Sequence, residues 1–382
     1  MSHLAPAPGT NAVTVDAIGV RIAIDLTLLD PPERVAVRSA WRSAVSASPA
    51  QPDRVIAPQR FAETGETLAH LSGAVTRAAV TAAPSDRWML HAAGLARTDG
   101  GVVVLVGRSG AGKTTATRFL ARTWGYVSDE TVGIDADGTV HPYRKPLSVI
   151  TDGYGFKVQR APEDLGLQPV PDAPLRLSRL VLLDRQPGPS AARLIPLADV
   201  DALADLTGHS SALTSMTRPL QTIVRLLART GGAVRAQYTE ARDLVALLDE
   251  HHAPRAPSPP GADASEAHVP VARPEASTLA RGDDEGGPTV YSATQLFRRA
   301  PATDWCRLDD GLLAVLTAET SGEGTLRVLA GVAPQLWLAA DDTPLDDLVD
   351  AVARRHRVPD ATSATRSALA ALIEAGLVTF TA

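Results

Sequence analysis

The order of apolar and polar positions sets out the elements. Residues 14–25, Thr-Val-Asp-Ala-Ile-Gly-Val-Arg-Ile-Ala-Ile-Asp, are rich in β-branched side chains and partly alternate, which predicts a strand. Residues 30–43 and 64–82 carry a more helical spacing, so residues 1–90 predict a small α+β lead-in. Residues 101–106, Gly-Val-Val-Val-Leu-Val, are a short continuous apolar run, the pattern of a strand buried on both faces. A glycine-rich stretch follows at once, and Thr114–Thr123 then predicts a helix. Residues 180–184, Leu-Val-Leu-Leu-Asp, predict a second buried strand, followed by helices over about 198–207, 219–230 and 239–250.

The pattern breaks at residues 252–288, where Pro, Ala, Ser, Gly, Asp and Glu dominate and large apolar residues almost vanish. That composition predicts a disordered linker. Residues 289–382 resume a globular pattern. Arg307–Thr317 predicts two short strands around Asp309-Asp310-Gly311, and Gly324–Leu329 a further strand. Helices are expected over 333–340, 344–356 and 361–375, with Gly376 as a C-cap and Leu377–Phe380 as a last strand.

Composition narrows the classes. The chain has 382 residues, a net charge of −6 and no long basic run, which argues against a general nucleic-acid binder. Its single cysteine, Cys306, excludes a disulfide framework and a multi-thiolate metal site within one chain. The start of the chain lacks a basic segment followed by an apolar one, and no run of about 18 apolar residues is present. The expectation is a soluble cytoplasmic protein without a membrane partner. Lysine is scarce: of 37 basic side chains, only Lys113, Lys145 and Lys157 are Lys. Such residues mark places that need a compact ammonium in place of a planar guanidinium, most clearly at Lys113.

Residues 107–115, Gly-Arg-Ser-Gly-Ala-Gly-Lys-Thr-Thr, have the spacing of a phosphate-binding loop between a buried strand and a helix. Gly107, Gly110 and Gly112 allow a tight turn that points N–H groups inward, with Ser109 inside the same turn. The helix presents its positive end to the phosphates. Lys113 is expected to reach the β- and γ-phosphates, Thr114 to place its hydroxyl on Mg²⁺, and Thr115 to complete the nucleotide contacts. Asp129 and Glu130 lie downstream at the end of a short apolar piece, where two acids share the work of holding Mg²⁺ and accepting a proton. His91 lies in Trp88-Met-Leu-His-Ala-Ala-Gly94; taken alone, a His in an apolar stretch is more often structural. Arg144 and Lys145 stand side by side between prolines. Contact with a γ-phosphate, contact with an acidic partner and plain solvated charge all stay open for that pair.

Together, Leu90–Gly94, Gly107–Thr115, Val127–Glu130, Pro142–Ser148 and Leu180–Arg185 resemble the HPr kinase/phosphorylase-like P-loop proteins, a branch related to phosphoenolpyruvate carboxykinase. Residues about 14–250 carry the likeness. The resemblance implies ATP and Mg²⁺ as ligands, His91 as the active-site His, Asp129 as the base for a hydroxyl proton, and Glu130 with Thr114 near the metal. Glu130 departs from the family's usual Asp-Asp pair, and the signature loop for HPr itself is missing. Relatives of this kind accompany peptide natural-product clusters, and some phosphorylate a precursor peptide. Related kinases are often hexameric, which makes a homo-oligomer an expectation.

The C-terminal segment resembles the PqqD-like recognition element of ribosomal-peptide (RiPP) biosynthesis, through Leu308–Leu316, Gly324–Leu329, the helices through Arg355, and Thr365–Val378. It implies strand addition by a leader peptide at an exposed edge, beside a groove lined by Leu326, Val328, Leu369, Leu372 and Ile373. The expected organisation is an α/β P-loop domain of the HPr kinase/phosphoenolpyruvate carboxykinase type over residues 1–251. The linker at 252–288 follows, and then a small α+β winged-helix-like PqqD-type domain over 289–382. Two functions follow from it. One is an ATP-dependent peptide kinase acting on a Ser or Thr of a leader-bound precursor. The other is a non-catalytic adaptor that presents the precursor to partner tailoring enzymes.

Overall fold

The computed structural model describes residues 11–149, 151, 155–188, 191–250, 291–292, 295–308, 311–320, 322–356 and 358–381. The expected linker at 252–288 lies outside them, as do Asp309 and Asp310 of the expected hairpin turn. The chain divides into two compact units, with the described residues up to 250 in the first and those from 291 in the second.

The first unit opens with β1 (Ala12–Ala17) and β2 (Val20–Asp25), paired antiparallel. The single strand expected over 14–25 is therefore a hairpin. Its turn is Ile18-Gly19, both at positive φ (56° and 74°), the geometry of a two-residue I′ turn. A β-branched residue is costly there. Packing holds it: Ile18 is fully buried, and its carbonyl accepts from Arg87 Nη1 at 2.6 Å. A Cβ added at Gly133 would overlap Ile18 Cγ2, so the turn sits in a notch that only glycine leaves open.

Helix α1 (Pro31–Trp41) starts at a capping box between Asp30 and Glu33. Strand β3 (Arg54–Ile56) joins β2 in parallel, and α2 (Thr64–Ala82) lies over the three-stranded sheet. The lead-in core, built on Val15, Ile22, Ile24, Val37, Trp41, Leu71 and Val75, also takes in Met89 and Tyr143. The α+β lead-in therefore shares its core with Tyr143, beyond position 90.

Two sheets follow. A four-stranded one has the order β14-β4-β8-β9, with β4 (Trp88–Leu90), β8 (Val132–Ile134), β9 (Val140–His141) and β14 (Ser210–Ser211). A six-stranded one has the order β13-β15-β12-β6-β5-β7. Its strands are β5 (Ala92–Ala96), β6 (Gly101–Val106), β7 (Gly125–Ser128), β12 (Arg176–Arg185), β13 (Arg193–Pro196) and β15 (Ala233–Tyr238). Strands β10 (Leu147–Val149) and β11 (Val158–Arg160) form a separate pair.

In the six-stranded sheet β6, β12 and β15 are parallel, and the other pairings are antiparallel. Helices α3 (Lys113–Leu120) and α6 (Asp243–Glu250) cover one face, through Ala116, Leu120, Leu244, Leu247 and Leu248 on Leu105, Val181, Leu183 and Ala236. Helices α4 (Asp199–Thr207) and α5 (Pro219–Thr230) pack on each other, and α5 also packs on β12. Two covered faces explain why the strand at 101–106 has no polar alternation.

The second unit has two three-stranded sheets. β16 (Leu296–Arg299) lies between β20 (Asp341–Pro344) and β21 (Val378–Phe380). β18 (Leu313–Ala318) lies between β17 (Asp304–Arg307) and β19 (Gly324–Leu329). Helices α7 (Ala333–Ala339), α8 (Leu345–Arg355) and α9 (Ala361–Glu374) close the core around Phe297, Trp337 and Leu348. Gly376 ends α9 as expected: at φ 69° it lets Leu377 N–H reach Leu372 O (2.8 Å) and its own N–H reach Ile373 O (2.9 Å). Among the described residues no helix is long and apolar enough to cross a membrane.

Candidate functional site

The glycine-rich loop leaves the C-terminal end of β6, beside the same ends of β12 and β15. In open α/β sheets this edge is where ligands bind. Gly110 and Gly112 take positive φ (82° and 93°), which only glycine adopts cheaply. A Cβ on Gly107 would press on Ala111 Cβ (3.0 Å) and Leu183 Cβ (3.3 Å), so the loop lies close against β12. Lys113 is buried, and its ammonium donates to Gly107 O (2.5 Å) and Arg108 O (3.4 Å). It thus points back into the concavity of the loop. Burial lowers its pKa, against the pull of Asp129. Ser109 and Thr115 are exposed, and Thr114 is half-buried in the first turn of α3.

His91, Asp129 and Glu130 share a structural cause. The chain leaves the four-stranded sheet at β4 and enters the six-stranded one at β5, with His91 at the crossing. It crosses back between β7 and β8, with Asp129 and Glu130 at that step. The crossings are tied by Ala92 N–H to Glu130 O (3.0 Å), and His91 N–H donates to His209 O (2.7 Å). Ser128 Oγ accepts from the Glu130 and Thr131 N–H groups, both at 3.3 Å. His91 is exposed at the crossing; even so, desolvation first and Lys113 second hold its imidazole pKa below 6.5, with Glu130 pulling the other way. The ring is therefore neutral at pH 7, able to accept a proton.

Arg144 and Lys145 do not behave alike, and neither is solvated surface charge. Lys145 is 1% exposed. Its ammonium lies 2.8 Å from Glu130 Oε2 and 3.7 Å from Asp129 Oδ1, and donates to Ser72 Oγ (3.4 Å) and Pro146 O (3.2 Å). Its acidic partner is internal, so it is not available to a second protein. Arg144 is half-buried and pairs with Glu163 (3.3 Å). Desolvation would raise the Glu130 pKa, but Lys145, with smaller contributions from His91 and Lys157, brings it below 4.5. Asp129 accepts from Tyr126 Oη (2.9 Å) on the same Oδ1 that faces Lys145. All three lysines thus act on this acidic pair: Lys113 on Asp129, Lys145 on both, Lys157 on Glu130.

Three site residues escaped the sequence reading. Tyr238, at the end of β15, donates from Oη to Ala111 O (2.7 Å) and pins the loop. Asp184, at the end of β12, follows Leu183, which packs under Gly107, and accepts from Gln237 Nε2 (3.1 Å). His209, just after α4, has its pKa lowered by desolvation and then by Lys113, with Asp205 opposing. Only Asp184 had a local signal, an acid closing a buried strand. Tyr238→Phe removes one hydrogen bond, of about 0.5–1.5 kcal/mol. The expected result is a nucleotide affinity reduced a few-fold, read by calorimetric titration, and a melting temperature lowered by about 1–6 °C, read by thermal unfolding.

Of the five groove residues expected in the second unit, Leu369 and Leu372 are a correction. They are 0% and 2% exposed and pack with Phe297, Leu336 and Leu345, so they form core and line no open groove. Leu326 and Val328 on β19 and Ile373 on α9 are half-buried. β19 is an edge strand of its sheet.

Among the described residues no three His, Cys, Asp or Glu side chains converge to hold a metal on their own. Mg²⁺ at a triphosphate needs less, because it keeps several waters and takes one or two protein ligands beside the phosphates. Thr114, Glu130 and Asp184 carry oxygen donors of the kind such a set uses. No protein-family model matches the chain, and no curated protein matches it.

Proposed function

We propose that this chain binds Mg-ATP at residues 107–115 and transfers the γ-phosphoryl group to a hydroxyl of a ribosomally made precursor peptide. The second unit holds that peptide's leader. The observation that carries this reading is the pairing of a lysine-bearing glycine loop with an acidic pair, Asp129 buried and Glu130 half-buried, at one edge of the parallel strands. Loop N–H groups and Lys113 neutralise phosphate charge, which is most of what phosphoryl transfer asks of a protein. Thr114 and an acid would hold Mg²⁺, which would supply further neutralisation of phosphate charge. The substrate oxygen forms its bond to the γ-phosphorus as the bond to the β-phosphate oxygen breaks. Asp129 takes the hydroxyl proton, and ADP leaves. The position of β19 at the edge of its sheet among the described residues, with Leu326 and Val328 half-exposed, supports strand addition by the leader.

One observation favours the adaptor. Lys145 and the Tyr126 hydroxyl occupy Asp129 Oδ1, and Lys145 also occupies Glu130 Oε2, so fewer carboxylate oxygens stay open to a proton or to Mg²⁺. Mixing the full chain, Mg-ATP and a precursor peptide separates the two. A mass gain of one phosphoryl group supports the kinase. Leader binding with no mass gain supports an adaptor that serves partner tailoring enzymes. Removing residues 289–382 is expected to abolish leader binding in either case, and an unchanged affinity would remove the leader-recognition role.

A further inference from the structure

Helix α3 has two faces. Ala116 and Leu120 enter the core. Thr115, Arg118, Phe119 and Arg122 are exposed and stand at i, i+3, i+4 and i+7, one stripe along the helix and the turn after it. These four line a half-open surface cavity of about 170 Å³. Phe119 is 37% exposed, and the Arg122 guanidinium carbon lies 5.6 Å from its ring centroid.

We propose that this cavity is the nucleoside subsite of the triphosphate site, taking the base of a purine nucleotide whose phosphates lie on residues 107–114. The proposal rests on the phosphate-loop reading and extends it to the other end of the ligand. Lys113 and Thr114 face the β- and γ-phosphates, so the α-phosphate falls at Thr115, the loop end of the cavity. Phe119 is four residues on, about 6 Å along the helix at 1.5 Å per residue, which is the reach of a sugar between phosphate and base. The volume is below the several hundred Å³ of a site for a whole drug-sized ligand, and suits a base alone. Aromatic rings and guanidinium planes are the side-chain surfaces on which bases stack.

The lining also bears on which base. Arg118 and Arg122 only donate, and Arg pairs best with the two acceptors on guanine's major-groove edge. Thr115 lies at the phosphate end, and none of Arg118, Phe119 and Arg122 can accept from adenine's amino group. The subsite therefore holds guanine at least as well as adenine, and a smaller pyrimidine less well.

Calorimetric titration of the full chain with ATP, GTP and inorganic tripolyphosphate tests this. Phe119→Ala is expected to weaken ATP and GTP by about 5- to 100-fold, the range for losing one stacked base, and to leave tripolyphosphate unchanged. Phe119→Trp should restore nucleotide binding. Unchanged ATP affinity in Phe119→Ala overturns the subsite, as does an equal loss of tripolyphosphate. If the wild type binds tripolyphosphate but ATP no more tightly, the subsite fails and the phosphate loop stands. If it binds neither, the phosphate-loop reading fails and the subsite falls with it.

Discussion

Lys113→Ala is expected to lower phosphoryl transfer by about 10²–10³-fold, the usual cost of removing one preorganised donor from a developing charge. The ammonium points into the loop, at Gly107 O and Arg108 O. It sits in a buried slot against backbone carbonyls. A guanidinium is wider and planar, so Lys113→Arg should not rescue. Nucleotide affinity should fall with the rate, because the same charge meets the ground-state phosphates. The melting temperature should stay within a few degrees, since removing a partly desolvated charge leaves no unpaired acid at contact distance. Phosphate incorporation and titration calorimetry read both effects. An unchanged dissociation constant for ATP would mean that the phosphates lie elsewhere.

Lys145→Met is expected to act on stability. It leaves Asp129, whose side chain is 4% exposed, buried without the ammonium that faces its Oδ1, where the Tyr126 hydroxyl still donates. Breaking a buried pair on one side costs about 3–5 kcal/mol. At about 2–4 °C per kcal/mol for a unit of this size, the melting temperature should fall by about 6–20 °C. Adding Asp129→Asn should recover part of that loss, because the carboxylate no longer needs a partner. A melting temperature that does not move in Lys145→Met would remove the ion pair from the account of the fold. The pH dependence has a definite sign. The Glu130 pKa is lowered in the fold, so its contribution is present above about 4.5 and is lost as pH falls through the lower folded value. The Lys145 pKa is raised despite desolvation, by Asp129 and then Glu130. Its contribution is complete below about 10.5 and is lost as pH rises through the higher folded value. Wild-type stability should therefore drop at both ends, and Lys145→Met should flatten both.

What the sequence made legible was local. The apolar run at 101–106, the glycine spacing after it and the helix behind it sit within 20 residues, so pattern alone places them. The hairpin at 12–25 was missed because its turn uses Ile18, a residue that turn chemistry disfavours at positive φ. Packing on Gly133, more than a hundred residues on, overrides the local preference. Lys145 was ambiguous for a similar reason. A basic residue between prolines reads as surface, and only the return of the chain past β7 puts it between two acids. Tyr238 and His209 reach the site through sheet order and a helix end, which no spacing rule encodes. In the second unit the periodicity of α9 placed Leu369 and Leu372 on an apolar face correctly, but periodicity does not say whether a face meets its own core or a visitor.

The turn at Ile18 has a consequence for how this protein varies. Its methyl group occupies the notch at Gly133, and its carbonyl holds Arg87, which also grips Asp135 (2.7 Å) two residues past that glycine. A larger residue at 133 needs a smaller one at 18, and a changed hairpin needs a changed strand floor. The start of the chain and the sheet that carries the acidic pair are thus a lock and its key. They can drift only in step, and a hairpin grafted from a distant cousin would not fit without the notch it was cut for.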